Sequence, residues 1–324
     1  MKPKANLTPL ARAVAMSVER MEAAAADAAH GIAPRSVGDD WRALYPFASH
    51  WLTQPAGRYH YLDEGQGKPL LFVHGNPTWS FYWRNLVTAL RTRYRAIAVD
   101  HIGCGLSGKP ADYSYRLADH IGNLVRLIDE LDLRDITLLA HDWGGAIGMG
   151  AAAERPDRFE RFVLFNTAAF RSSRCPWRIR VCRTPGLGPL AVRGANAFLR
   201  AALVMATSDP KKFRGAVRQG YLAPYGNWAN RVAIQRFVED IPLSPRHPSY
   251  ETLVRIEQAL PSLAGRPTKF IWGMRDWCFT PAFLERFLEF FPQADVLRLP
   301  AAGHFVVEDA AAEVLAAVEA FLQR

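Results

Sequence analysis

One aspartate is placed for covalent chemistry. Asp142 sits in His141-Asp142-Trp143-Gly144-Gly145, directly after the apolar run Ile136 to Ala140. Small residues at Ala140, Gly144 and Gly145 let a chain turn sharply from a strand into a helix, and Ala146 to Ala153 reads as that helix. The pattern is a nucleophile elbow with aspartate where a hydrolase often carries serine. Alone, such an aspartate would read as a helix N-cap; its partners argue otherwise. His304, in Gly303-His304-Phe305, comes late in the chain, where the hydrolase order of nucleophile, acid and histidine places the base. Asp276, in Trp272-Gly273-Met274-Arg275-Asp276, follows another apolar run and can accept from one nitrogen of that histidine. Asn76, in His74-Gly75-Asn76-Pro77, and Trp143 each offer a backbone N–H for an oxyanion hole. Their side chains add an amide and an indole N–H, and the indole can only donate, which suits an anionic leaving group. Aspartate in place of serine also has a chemical reason. On a saturated carbon serine would form an ether, whereas a carboxylate forms an ester that can be hydrolysed or eliminated. Attack on an activated acyl carbon, giving a mixed anhydride, stays open.

These residues need a scaffold that gathers strand ends. Short apolar runs at Pro69 to Val73, Arg95 to Val99, Ile136 to Ala140, Phe162 to Phe165, Lys269 to Trp272 and Val296 to Leu299 alternate with helical patterns. That rhythm predicts an α/β protein with a mostly parallel sheet and helices on both faces, its site at the carboxyl ends of the strands. Between Phe170 and Pro261 the rhythm fails, and short helical patterns alternate with Pro-rich turns, as expected of an inserted helical lid. The expected division is an Ala-rich extension at 1–38, core at 39–170, lid at 171–261 and core at 262–324. The stretch Leu7 to His30 has high helix propensity.

Charge supports the division. The chain of 324 residues carries a formal +9, yet residues 171–260 hold 15 Lys and Arg against 5 Asp and Glu, and the rest holds 25 against 26. The basic excess therefore belongs to the lid, which carries no nucleic-acid recognition module and fits a peripheral membrane surface or acidic partner, or mere arginine-rich composition. No apolar run is long enough to cross a bilayer, and Arg12, Glu19 and Arg20 interrupt the apolar start, so a cytoplasmic location is expected. Cys104, Cys175, Cys182 and Cys278 have no CxxC spacing and are expected to be free thiols, with Cys278 packing rather than attacking. Gly103 to Gly108 matches G-x-G-x-x-G, but Lys109-Pro110 follows where a dinucleotide site needs a helix. His101, His120 and His141 lack metal-ligand spacing. No cofactor and no metal are expected.

With these motifs the chain resembles the haloalkane dehalogenase-like branch of the α/β-hydrolase family. The resemblance runs from about Leu44 to Phe321 and rests on His74-Gly75-Asn76-Pro77, Asp100-His101-Ile102-Gly103, His141-Asp142-Trp143-Gly144-Gly145 and Ala302-Gly303-His304-Phe305. It implies Asp142 as nucleophile, His304 as base, and Asn76 and Trp143 as leaving-group ligands. Members place the third acid after the sixth or the seventh strand; here the sixth ends in Asn166 and the seventh leads to Asp276, which marks Asp276 as the acid. The lid is similar to that of the β-lactone decarboxylases of bacterial long-chain olefin biosynthesis, through Asn166-Thr167-Ala168-Ala169-Phe170, Pro176-Trp177-Arg178-Ile179, Gly220-Tyr221-Leu222-Ala223-Pro224-Tyr225 and Asp276-Trp277-Cys278-Phe279-Thr280-Pro281. That similarity implies conversion of a cis-β-lactone with two long alkyl chains into a cis-alkene and carbon dioxide, in assembly with other olefin-biosynthesis enzymes. The alternatives are a haloalkane dehalogenase with the same triad and, third, an epoxide hydrolase in which Tyr221, Tyr225 or Tyr250 polarises the epoxide oxygen.

Overall fold

The computed structural model describes residues 40–324, so the Ala-rich stretch Leu7 to His30 lies outside the described residues. Eight strands form one sheet in the order β1-β2-β4-β3-β5-β6-β7-β8. They are β1 (His50–Gln54), β2 (Gly57–Glu64), β3 (Pro69–Val73), β4 (Arg95–Val99), β5 (Ile136–Asp142), β6 (Phe159–Thr167), β7 (Thr268–Gly273) and β8 (Asp295–Leu299). The pairs β1–β2 and β2–β4 are antiparallel and every later pair is parallel. The six expected apolar runs are the cores of β3 to β8.

Side chains of adjacent strand residues go to opposite faces, and here each face has its own core. Leu71, Val73, Leu138 and Ala140 join one cluster with helices Leu117–Glu130, Trp143–Glu154 and Tyr250–Leu263. Leu70, Phe72, Leu139 and Phe165 join the other with helices Arg84–Leu90 and Ala311–Leu322. Burial on both faces explains why these strands read as unbroken apolar runs.

Between β6 and β7 the regular structure is all helical, with helices at Trp177–Cys182, Ala197–Met205, Gly215–Leu222, Val232–Glu239 and Tyr250–Leu263 joined by turns and irregular stretches. No strand interrupts them. Asn76, at the end of β3, is bonded through its side chain to the Ile234 carbonyl at 3.2 Å, so this helical segment lies over the strand ends. The glycine-rich stretch Gly103 to Gly108 is a set of turns wrapped on a buried carboxylate: Asp100 accepts from the N–H of Leu106 at 2.8 Å and of Ser80 at 2.7 Å. No helix opens at Gly108.

Candidate active site

Asp142 is the last residue of β5 and immediately precedes helix Trp143–Glu154, with φ 55° and ψ −127°. A positive φ is unfavourable for a non-glycine residue and is held only where the surroundings enforce it. Two glycines permit the close packing. A Cβ on Gly144 would stand 2.1 Å from the Val73 carbonyl oxygen, and one on Gly75 would stand 2.1 Å from Asp142 Oδ1. The Thr167 hydroxyl, from the end of β6, donates to the Asp142 carbonyl.

The two oxygens of the Asp142 carboxylate have different surroundings. Oδ1 accepts the Asn76 backbone N–H at 2.6 Å, and the Trp143 backbone N–H also supports the carboxylate. The Asn76 N–H, expected in an oxyanion hole, thus already holds an anion, an oxygen of the Asp142 carboxylate itself. Oδ2 lies 3.8 Å from His304 Nε2, beyond hydrogen-bond distance, and is left to attack. In an ester formed through Oδ2, Oδ1 would become the carbonyl oxygen, still facing the donors that stabilise charge developing there.

His304 is oriented from its other nitrogen, with Nδ1 2.8 Å from Asp276 Oδ2. Asp276 is itself fixed: Oδ1 accepts the Cys278 N–H at 2.6 Å, and Oδ2 accepts the Asn166 side-chain amide at 3.1 Å. Asn166 also donates to the Gly273 carbonyl and accepts the Gly273 N–H, at 3.0 and 2.8 Å, which ties the end of β6 to the end of β7. Asn166, which the sequence marks only as the non-acidic end of the sixth strand, holds Asp276, the expected acid, in place. Phe279 stacks on the His304 ring at 5.7 Å between centroids. The structure brings together Asp142, Asp276 and His304, with Asn76 and Trp143 beside them.

Burial dominates the electrostatics. Desolvation pushes the Asp142 carboxyl up to about 6, against the opposing pull of His304 and the two backbone N–H groups. For His304 burial works against the imidazolium, but the adjacent carboxylates of Asp276 and Asp142 outweigh it and the pKa stands above its ordinary value. His141, buried and beside His304, is driven far below the usual histidine range and is neutral. Burial likewise raises the Cys278 thiol well above its ordinary value, so no thiolate competes with Asp142.

Asp142 opens into a cleft of about 880 Å³, mouth included, which Asn76 and Trp143 also line. Its walls are mostly apolar, among them Phe170, Ile179, Phe198, Val238, Leu253 and Phe283. The Asn76 amide spends one N–H on Ile234, which fixes the side chain, and has a second. The Trp143 indole N–H has no protein acceptor among the described residues. The three tyrosines proposed to polarise an epoxide lie elsewhere. Tyr221 donates to Glu308 at 2.6 Å, Tyr225 donates to the Thr78 carbonyl at 3.1 Å, and Tyr250 is engaged by Arg171. None lines the cleft. Tyr221 and Tyr225 are sequestered because their hydroxyls satisfy buried partners far along the chain. Among the described residues no group of three or more His, Cys, Asp or Glu side chains is arranged to hold a metal ion.

Two consequences follow from this geometry. In Gly75→Ala the new methyl group displaces the Asp142 carboxylate, and turnover is expected to fall about 100-fold, the scale of a 1 Å misplacement, while the circular dichroism spectrum stays unchanged. The second concerns stability. A carboxyl raised from 3.8 to about 6 binds its proton more tightly in the folded chain. Stability associated with this group is therefore complete below about pH 4, is lost as pH rises to 6, and stays lost above, at a cost of about 2 to 3 kcal/mol. Asp142→Asn is expected to melt at a higher temperature than the parent at pH 7, with the gap closing near pH 4; calorimetry at the two pH values checks this.

A carboxylate at the elbow after β5, a histidine after β8 oriented by the carboxylate that follows β7, and a helical cover over a mostly parallel sheet define an α/β hydrolase. Residues 68–311 match the model of the alpha/beta hydrolase fold family, and the chain belongs to that family. It is 43% identical over 285 residues, 86% of this chain and 89% of the relative, to the cis-3-alkyl-4-alkyloxetan-2-one decarboxylase of Shewanella oneidensis. Identity to haloalkane dehalogenase 2 of Mycobacterium tuberculosis is 36% over 279 residues, 85% of this chain and 95% of the relative. The crystal structure of a haloalkane dehalogenase from Agrobacterium tumefaciens superposes with a TM-score of 0.75 at 28% identity, covering 86% of this chain and 96% of that one.

Proposed function

We propose that this protein is a β-lactone decarboxylase that converts a cis-3,4-dialkyl β-lactone into a cis-alkene and carbon dioxide. The observation that carries the reading is an aspartate held at a strand-to-helix elbow and facing a mostly apolar cleft, in a chain 43% identical to decarboxylases of that substrate class from two organisms.

In this reading Asp142 Oδ2 attacks the ring carbon that bears oxygen. The carbon–oxygen bond of the ring breaks with inversion, leaving an alkyl ester on Asp142 and a free carboxylate on the neighbouring carbon. The second Asn76 N–H and the Trp143 indole N–H receive that carboxylate. Its bond to carbon then supplies the electron pair for the new double bond, carbon dioxide departs, and the ester oxygen leaves as the restored Asp142 carboxylate. Inversion followed by anti elimination preserves the cis relationship. No water is consumed, and His304 serves to orient and balance charge rather than to activate water. The apolar cleft walls hold the two alkyl chains. The same reading places the protein in the cytoplasm beside other olefin-biosynthesis enzymes.

The dehalogenase alternative uses the same atoms with halide at Asn76 and Trp143, and is favoured by the identity to haloalkane dehalogenases. Parallel assays with a cis-β-lactone, a bromoalkane and an epoxide separate the readings: the lactone is expected to give the highest kcat/KM, and halide release as the main activity would overturn the proposal.

A further inference from the structure

The basic excess of the chain and its exposed apolar side chains fall on the same surface. Of the large hydrophobic residues exposed among the described residues, all but Leu44 lie between 177 and 228: Trp177, Val181, Leu187, Leu190, Val204, Met205 and Trp228. Trp177 is 67% exposed and Leu190 65%, values too high for side chains that merely edge a core. Most of the chain's net positive charge lies in the same segment. Its arginines are unevenly satisfied. Arg171 pairs with Glu257 and Arg236 with Glu239, whereas Arg178, Arg180, Arg193 and Arg200 have no carboxylate partner among the described residues.

The two kinds of residue interleave. The Arg178 guanidinium lies between two indole rings, 5.2 Å from the centre of Trp177 and 5.4 Å from that of Trp277. Trp277 in turn donates its N–H to the Met205 carbonyl at 2.8 Å. Arg193 lies over Trp228 at 4.6 Å and belongs to the same short turn, Leu190–Gly194, as Leu190. That turn packs against helix Ala197–Met205 and, through Leu187–Pro189, against helix Trp177–Cys182. The result is one apolar surface studded with cations, the composition of an interfacial membrane anchor, in which aromatic and aliphatic side chains enter the headgroup boundary and arginines meet anionic lipid.

Helix Trp177–Cys182 relates this surface to the cleft. Its Ile179 lines the cleft and Pro176 precedes it there, while Trp177 and Val181 face outward. Ser172 and Arg174 belong to the cleft lining immediately before this helix.

From this arrangement we infer that the outer face of helices Trp177–Cys182 and Ala197–Met205, with the turn between them, docks on an anionic lipid bilayer and brings the mouth of the cleft to the membrane. A lipid-soluble ligand would then pass between bilayer and cleft without crossing bulk water. The inference concerns the surface and holds whichever reaction the triad performs.

The test is co-sedimentation of the full chain with unilamellar vesicles of phosphatidylglycerol and phosphatidylcholine in equal parts, against vesicles of phosphatidylcholine alone. The expected result is binding to the anionic vesicles at low salt, at least about tenfold weaker to the neutral ones and weakened by salt. The double variant Trp177→Gln, Leu190→Gln removes two exposed side chains and is expected to bind at least about tenfold more weakly at an unchanged melting temperature. Arg178→Gln with Arg200→Gln tests the cationic half independently and is expected to weaken binding to the anionic vesicles. No sedimentation with anionic vesicles, equal binding to both vesicle types, or binding undiminished in both double variants would overturn the inference. Capture of the chain by an acidic protein without vesicle binding would also overturn it, in favour of a protein partner.

Discussion

Asp142→Ala is expected to abolish turnover of a cis-β-lactone, lowering kcat by about 10⁴-fold or more, the scale on which loss of a covalent nucleophile is felt. Several structural terms converge on this one carboxylate. The strained backbone at Asp142 presents it, Asn76 holds Oδ1, and desolvation lifts its pKa to about 6. No other group substitutes for it: the neighbouring Cys278 is held as a thiol, and Asp276 is committed to His304 and Asn166. The cleft of the variant keeps its apolar walls, so substrate binding should change far less than kcat. The parent reaction should also need Asp142 ionised, with single-turnover ester formation rising with pH through about 6. Rates within tenfold of the parent in Asp142→Ala would remove the covalent route.

His304→Ala is expected to separate two reactions that the same triad can begin. With a bromoalkane, ester formation on Asp142 needs no base, but hydrolysis of the ester does. The variant should release one equivalent of halide and stop, with the protein heavier by one alkyl group in intact mass spectrometry. With a cis-β-lactone the ester collapses by losing carbon dioxide, a step that consumes no water, so alkene should continue to form, more slowly, through many turnovers. The difference follows from the geometry. His304 Nε2 stands 3.8 Å from Asp142 Oδ2, close enough to serve as base to a water between them, and its Nδ1 is committed to Asp276. Alkene formation that also stops after one turnover would place His304 in the elimination itself.

Much of this site was legible in the chain, and the reasons are physical. Strands β3 to β7 are largely buried on both faces and so stand out as apolar runs, whereas the edge strand β8 is only partly buried and is marked by Val296, Leu297 and Leu299 around an exposed Arg298; the residues just beyond the strands had to hold the site if the sheet was parallel. The hairpin β1–β2 is not legible as an apolar run, because polar residues fill both strands and burial follows neither a continuous nor an alternating pattern: in β2 Tyr59 and His60 are both buried in succession while Arg58 is exposed and Asp63 partly so. Asn166 was seen only as a residue that could not be the acid. Its role depends on the φ of 22° that aims its amide at Gly273 and Asp276, which no local pattern announces. The tyrosines of the helical cover were misplaced for the complementary reason: their direction is set by Thr78 and Glu308, 147 and 87 residues away. The backbone N–H groups of Asn76 and Trp143 are legible as candidate anion donors, but that the first of them already holds the Asp142 carboxylate follows only from the 2.6 Å contact to Oδ1.

The central claim is that Asp142 forms an ester which is resolved by loss of carbon dioxide rather than by water. It is tested most directly by a single turnover of a cis-β-lactone in water labelled with heavy oxygen, followed by analysis of both product and protein. The expected result is unlabelled carbon dioxide at the earliest times, cis-alkene as the organic product, and no label in the Asp142 carboxyl group. A β-hydroxy acid as the product, with label entering Asp142, would contradict the account and show that water resolves the ester.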